Sequence, residues 1–266
     1  MFPLKPVDVP DVDRRSLPVF EAGSIDVPYV IDGMDEAISR NTFWEEHSHP
    51  THELIWNTRG ASSLTVGSRT WTITPTVGLW IPAGVRHTAW TPAGTWYRTA
   101  MFSVQSTAPI ADGPVAVDVT DLLRLLLDRL AEPSLEGSSR ATTEAMVLDV
   151  LAPSPHELLL RIPDSELLAP IVEAVRADVR DAGTLEAWSA RLGVSSRTIT
   201  RQFRAETGLG FSSWVAAFRI QRAIVLLAGG DSIDEVAMTV GFRSASSFGT
   251  AFRRVTGTSP GQFRVR

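Results

Sequence analysis

The pattern of hydrophobic and polar positions changes period about midway along the chain. Over about residues 19–119, short runs rich in Thr, Val, Ile, Trp and Phe are cut by prolines at 75, 82, 92 and 109 and glycines at 60, 78, 84 and 94. Side chains of a strand alternate between two faces, so this texture predicts several short strands closed into a barrel or sandwich. One hairpin is explicit: residues 63–66 and 69–73 alternate on either side of a two-residue turn, Gly67-Ser68. After Asp118 the spacing becomes helical. Leu122, Leu123, Leu125, Leu126, Leu127 and Leu130 ring one short helix, and a second helical stretch covers 142–151. Leucine spread that far around a helix needs cover on more than one side, from the β half or from a second subunit. Pro153, Pro155 and Pro163 mark a boundary, and from Asp164 onward the whole chain reads as helical. Residues 1–15, with three prolines, read as a loose tail. The expected fold class is α+β in two domains: tail and β-barrel over 1–118, a helical connector over 119–163, and an all-α domain over 164–266.

Composition narrows the chemistry. With 266 residues, 44% of them hydrophobic and 21% charged, the chain is of the soluble globular type and long enough for two ordinary domains. It contains no cysteine, which excludes disulfides, thiol nucleophiles and thiolate metal sites and confines any metal to His, Asp and Glu. The start lacks the basic and apolar regions of a secretory signal, and no unbroken apolar run reaches about 18 residues. The expectation is a cytoplasmic protein without a membrane span. A net charge of −5 argues against a nucleic-acid partner until it is divided. Residues 1–183 hold 14 basic and 25 acidic side chains, net −11, whereas residues 184–266 hold 11 and 5, net +6.

The basic segment repeats itself. Residues 184–194 align with 232–242 at an offset of 48, and beyond the turn the offset is 49, so that Phe203 matches Phe252, Arg204 matches Arg253 and Gly208 matches Gly257. Each copy reads as helix, turn, helix. Thr184 and Ser232 are candidate caps of the first helix, and only the second copy, with Glu235, offers a full capping box. Leu185, Trp188 and Leu192, and likewise Ile233, Val236 and Val240, form a buried stripe. Gly193 and Gly241 supply the turn, and Val194 and Phe242 plug the corner. Ser195 and Ser244 are candidate caps of the second helix, which buries Ile199 and Phe203 in one copy and Phe248 and Phe252 in the other. Facing outward are Ser196, Arg197, Thr198, Thr200 and Arg201 in the first copy. In the second they are Arg243, Ser244, Ser246, Ser247, Thr250, Arg253 and Arg254. Forked arginine donors and short hydroxyls, with no acid among them, suit reading of a DNA major groove. Between the copies, residues 211–228 form one amphipathic helix of roughly 27 Å, a strut that can set two recognition helices in successive major grooves about 34 Å apart.

The last hundred residues resemble the DNA-binding domain of AraC/XylS-type transcription regulators. The resemblance rests on Ser195-x-Arg197-x-Ile199-x-Arg201-x-Phe203, on Ala237-x3-Gly241-Phe242 with Ser247-Phe248-x3-Phe252-Arg253, and on Gly257-x-Ser259-Pro260-x2-Phe263-Arg264. It implies double-stranded DNA and RNA polymerase as partners and a homodimer joined through the β domain or the 122–130 helix. One departure is Ala245 followed by two serines, where many members carry longer polar side chains, which makes base reading by the second helix weak or hydroxyl-based.

Four of the five histidines lie between residues 47 and 87. In His47-Ser48-His49-Pro50-Thr51-His52-Glu53, strand alternation puts His47, His49 and Glu53 on one face and His52 on the other, and His87 arrives from another strand in Pro82-x-Gly84-x2-His87. Both stretches resemble the two motifs of the cupin barrel, the second in shortened form. That resemblance implies a metal held by His47, His49, Glu53 and His87. Three imidazoles and a carboxylate favour Fe(II), Mn(II), Ni(II), Zn(II) or Co(II). The same turn also serves as metal-free scaffolding in the sensor domains of such regulators, and both readings stand. Trp44, Trp56, Trp71, Trp80, Trp90 and Trp96 are expected in the core, some of them lining a ligand cavity. His156 is expected in solvent.

Two functions therefore compete. One is a DNA-binding transcription regulator, not an enzyme, whose cupin domain senses a small molecule or metal ion. The other is a metal-dependent cupin enzyme, a dioxygenase or isomerase, with a helical appendage. Glu45 and Glu46 are the only further acids near the histidine motifs, and the tandem repeat favours the regulator.

Overall fold

The computed structural model describes residues 12–265; the expectation of a loose tail lies outside them for residues 1–11. The chain forms two compact units. The first comprises 12–66 and Thr72–Glu157, and the second comprises Gly67–Trp71 and the chain from Leu158 onward. The 119–163 segment is thus divided at Leu158, its two helices belonging to the first unit.

Ten strands precede two helices along the chain: β1 (Asp13–Arg15), β2 (Ile31–Ala37), β3 (Thr42–His47), β4 (His52–Arg59), β5 (Ser62–Val66), β6 (Arg69–Ile73), β7 (Val77–Ile81), β8 (His87–Thr91), β9 (Trp96–Phe102), β10 (Val115–Asp118), α1 (Asp121–Leu130) and α2 (Gly137–Val150). All lie in the first unit except residues 69–71 of β6, which belong to the second. One sheet runs β1-β3-β8-β5-β6 and the other β10-β7-β4-β9-β2. The sheets face each other: the Trp44 and Tyr97 rings lie 5.5 Å apart across the interior, and Asn57 donates to Ser62 Oγ at 3.1 Å. Residues 13–15 correct the tail reading. They form a strand parallel to β3, and Arg15 lies over the Trp44 ring with its guanidinium on Asp13 and Glu36. Gly67 takes a positive φ, as the 63–73 hairpin requires.

The outer face of the second sheet packs on the helices. Leu54, Trp56, Trp80, Ala100, Phe102 and Val117 meet Leu123, Leu126, Leu127, Leu130, Val147 and Leu151 in one core. Thr120 caps α1 by accepting from Leu123 N. Trp44, Trp56, Trp71, Trp80 and Trp90 are buried as expected. Trp96 is not: it is 47% exposed at the start of β9, opposite Ala37 of the edge strand, and its indole donates to Asp35.

The second unit opens with β11 (Leu159–Arg161), which pairs antiparallel with residues 69–71 and interrupts the expected linker. Helices follow: α3 (Ala169–Ala177), α4 (Leu185–Leu192), α5 (Ser196–Thr207), α6 (Phe211–Ala228), α7 (Ile233–Thr239), α8 (Ala245–Thr256) and α9 (Pro260–Val265). By length and composition alone, with a mean hydropathy of 1.3, α6 could cross a membrane. Its apolarity has a local cause. Phe211, Trp214, Val215, Phe218, Ile220, Ala223, Ile224 and Leu227 are all buried in this unit.

Candidate DNA interface and metal cluster

Each half of the repeat folds as its sequence dictates. Thr184 accepts from Ala187 N ahead of α4, and Ser232 and Glu235 close a capping box ahead of α7. Gly193 caps α4 in the left-handed region at φ 66°, and Gly241 takes φ 85°. At Gly241 space is also short, since a Cβ would lie 2.8 Å from Arg180 Cα. Phe242 packs edge-on against Phe248 and under Arg219, which also donates to the carbonyls of Val179 and Arg180. Ser195 and Ser244 cap α5 and α8, accepting from Thr198 N and Ser247 N at 3.1 and 3.2 Å.

These anchors orient the outward faces. On α5, Arg197 and Arg201 are exposed, whereas Ser196, Thr198 and Thr200 are half-buried. On the second copy Arg243, Ser244, Ser246, Ser247, Thr250, Arg253 and Arg254 are all exposed. Several hydroxyls are already engaged locally. Ser244 serves as the cap, Ser247 Oγ donates to Ser244 O, Thr250 Oγ1 donates to Ser246 O, and Thr198 Oγ1 meets Ser195 Oγ at 2.9 Å. Among the described residues, Arg197, Arg201, Arg243, Arg253 and Arg254 form no ion pair, which leaves their donors available to a phosphate or base. Ser246, Gly249, Thr250, Arg253, Arg254, Ser259 and Pro260 line an open hollow of about 510 Å³ beside α8. In the sequence Ser259 stands out only as part of the Gly257-x-Ser259-Pro260 motif, and Gly249 not at all; aligning α8 with α5 residue by residue is the signal that finds Gly249.

The barrel brings the histidines together. The ligand atoms of His47, His49 and His87 lie within 4.8 Å of one another. His47 pairs with His87 across β3 and β8, and a break in register beyond Trp44 sets this pairing. Glu53, on β4, places Oε2 at 3.4 Å from His49 Nε2 and 3.8 Å from His87 Nε2. His52 faces away, its Nδ1 accepting from Ala83 N at 3.0 Å. His47 Nδ1 lies 2.7 Å from Glu45 O and His87 Nδ1 3.0 Å from Val85 O. A carbonyl only accepts, so both Nδ1 atoms carry the proton and both Nε2 atoms present lone pairs. Burial depresses all three imidazoles, His49 and His87 to about 4, so they are neutral at pH 7. Burial also raises Glu53, against the pull of His87. Glu53 Oε2 is fully enclosed and has no hydrogen-bond partner. Three neutral nitrogens beside an orphaned carboxylate oxygen fit a divalent transition metal. His156 is exposed, as expected.

Comparison with known proteins agrees with both halves. A family model described as "AraC-like ligand binding domain" matches residues 30–146, and one described as "Helix-turn-helix domain" matches residues 188–266. The chain is 27% identical over 224 residues to the HTH-type transcriptional regulator NimR of Escherichia coli K12, covering 83% of this chain and 82% of that one. It is 42% identical over 108 residues to the HTH-type transcriptional regulator RipA of Corynebacterium glutamicum, covering 39% and 33%. Among solved structures it is similar to the DNA-binding domain of AdpA in complex with a target DNA. There the identity is 36%, the coverage 38% of this chain and 92% of that one, and the TM-score 0.35.

Proposed function

We propose, from the premise that this chain belongs to the AraC-type DNA-binding transcription regulators and carries an N-terminal ligand-binding domain, that an effector bound in the barrel controls how the tandem helix-turn-helix engages its operator. The carrying observation is the pair of capped recognition helices, α5 and α8, whose exposed arginines have no acidic partner among the described residues. The DNA-contacting set is Ser196, Arg197, Thr198, Thr200 and Arg201 on α5, with Arg243, Ser244, Ser246, Ser247, Thr250, Arg253 and Arg254 around α8. Working on the chromosome, the protein acts in the cytoplasm and contacts RNA polymerase. The relatives are named as transcriptional regulators, which leaves the enzyme reading without support.

The effector is a small molecule or the metal itself. His47, His49, Glu53 and His87 are the residues that hold a divalent ion (Fe, Mn, Ni, Zn or Co), and the enclosed, unpartnered Glu53 oxygen supports this assignment. Bound there, a cation supplies the positive charge that the buried carboxylate lacks and ties β3, β4 and β8 together. A homodimer is supported by Leu122 and Leu125 of α1, which are 50% and 58% exposed while the other leucines of that helix are buried in the first unit's core.

The test is DNA binding by the full chain to the region upstream of its own gene at two salt concentrations. Five arginines each displacing one counterion give a slope of log K against log salt of about −4.5, roughly 500-fold between 50 and 200 mM. Replacing both Arg201 and Arg253 with Ala is expected to weaken binding and flatten that slope. Unchanged affinity and slope would sink these assignments.

A further inference from the structure

The two recognition helices share a framework but not a surface. With the offset of 49 that aligns their caps, Ser195 and Ser244, the outward positions of α5 and α8 can be compared one by one. Where α5 carries Arg197, Thr200 and Arg201, α8 carries Ser246, Gly249 and Thr250. Where α5 carries Arg204 and Ala205, α8 carries Arg253 and Arg254. Within the helix, α8 lacks the forked donors that α5 carries in its first half and adds one, Arg254, in its second; Arg243 stands just ahead of its cap. The first half of a recognition helix is the part that meets base edges in the major groove.

Gly249 is the sharpest difference. It sits in mid-helix, where glycine costs about 1 kcal/mol relative to alanine. It is not among the positive-φ glycines, and a Cβ built on it meets nothing within 4 Å. Neither backbone conformation nor packing inside the chain requires glycine there. It does border the hollow whose other walls are Ser246, Thr250, Arg253, Arg254, Ser259 and Pro260. That wall carries two cations, three hydroxyls and no acid, the chemistry of a phosphate seat.

Resting on the DNA-binding reading above, we infer that the two helices divide the work: α5 reads operator bases through Arg197 and Arg201, and α8 docks on the DNA backbone, with a phosphate seated in the hollow over Gly249. The absent side chain at 249 admits that phosphate. Sequence preference then resides in one block of the operator, and the block met by α8 adds affinity with little preference.

The full-length chain is first used to select from duplexes randomised over about 20 base pairs, two turns of DNA. The expected result is one strongly specified block and no comparable block one helical turn away. Two equally specified blocks overturn the division. Binding to the selected duplex and to a shuffled one is then compared for three variants. Gly249→Ala is expected to weaken both several-fold, leaving their ratio unchanged, while the melting temperature stays level or rises because alanine favours the helix. Arg254→Ala is expected to lower the salt slope by about one, again at constant ratio. Arg201→Ala is expected to cut the ratio about tenfold. A Gly249→Ala protein that binds both duplexes like wild type, or that loses only the selected one, overturns the phosphate seat. If the folded wild type enriches no duplex and binds DNA without salt dependence, DNA reading itself fails, an outcome distinct from two equal blocks.

Discussion

Gly241 and Gly193 occupy equivalent turns in the two halves of the repeat, yet they are unequal. Both hold a positive φ, but only at Gly241 would a Cβ meet backbone, at 2.8 Å from Arg180 Cα; at Gly193 there is open space. Gly193→Ala is therefore expected to cost about 1 kcal/mol from conformation alone, and Gly241→Ala distinctly more, since the chain at Arg180 must also move. Thermal denaturation of the two variants checks this, and equal losses would show that the Arg180 approach carries no cost. Glycine at both turns was legible in the sequence, because a helix-turn-helix needs a left-handed residue there. The crowding was not, because it comes from a segment about 60 residues away. The histidine cluster divides in the same way. Strand alternation assigns His47, His49 and Glu53 to one face, whereas the carbonyls of Glu45 and Val85 that fix the imidazole tautomers depend on backbone geometry no pattern reveals. Element analysis of untagged protein after mild reconstitution is expected to find near-stoichiometric metal in the wild type and little in His49→Ala or Glu53→Gln. An empty wild type ends the metal assignment.

Helix α1 shows what a leucine pattern can and cannot announce. Six leucines in nine positions signalled burial on more than one side; the structure buries Leu123, Leu126, Leu127 and Leu130 and leaves Leu122 and Leu125 in solvent. Serine at these two half-exposed positions removes little packing within the chain, so the fold is expected to persist while the proposed dimer dissociates. Light scattering across a concentration series decides it: a mass equal to that of the wild type at every concentration removes this face from the interface. The three-residue strands β1 and β11 were illegible for a related reason. Asp13-Arg14-Arg15 has no apolar alternation, and it is a strand because Asn41 and β3 present hydrogen-bonding partners to it. Helix α2 begins five residues before the expected 142, after Glu136, whose side chain makes no capping bond to mark the start.

Across the whole chain, net charge was the least informative number and its distribution among the most informative. An average of −5 hid the basic repeat, because an acidic β half outweighs it. The domain order and the tandem repeat were legible, since periodicity and caps are local properties. The place where the chain divides was not, because α1 and α2 join the first unit through side chains that meet strands far away in sequence.

Helix α6 has a consequence for how the DNA-reading half breathes. Trp214 and Phe218 lie in the core that also holds Trp188, Ile199 and Phe203, and the same helix meets α7, α8 and α9 along its length. Neither reading helix can detach its inner face without uncovering part of this shared rod. Amide hydrogens along α6 should accordingly exchange with deuterium more slowly than those of α5 or α8, and by a common opening event. A cavity cut at Phe203 is then expected to loosen α8 as well, so that protection falls in both halves together. Protection lost only around α5 would mean that the two readers open one at a time.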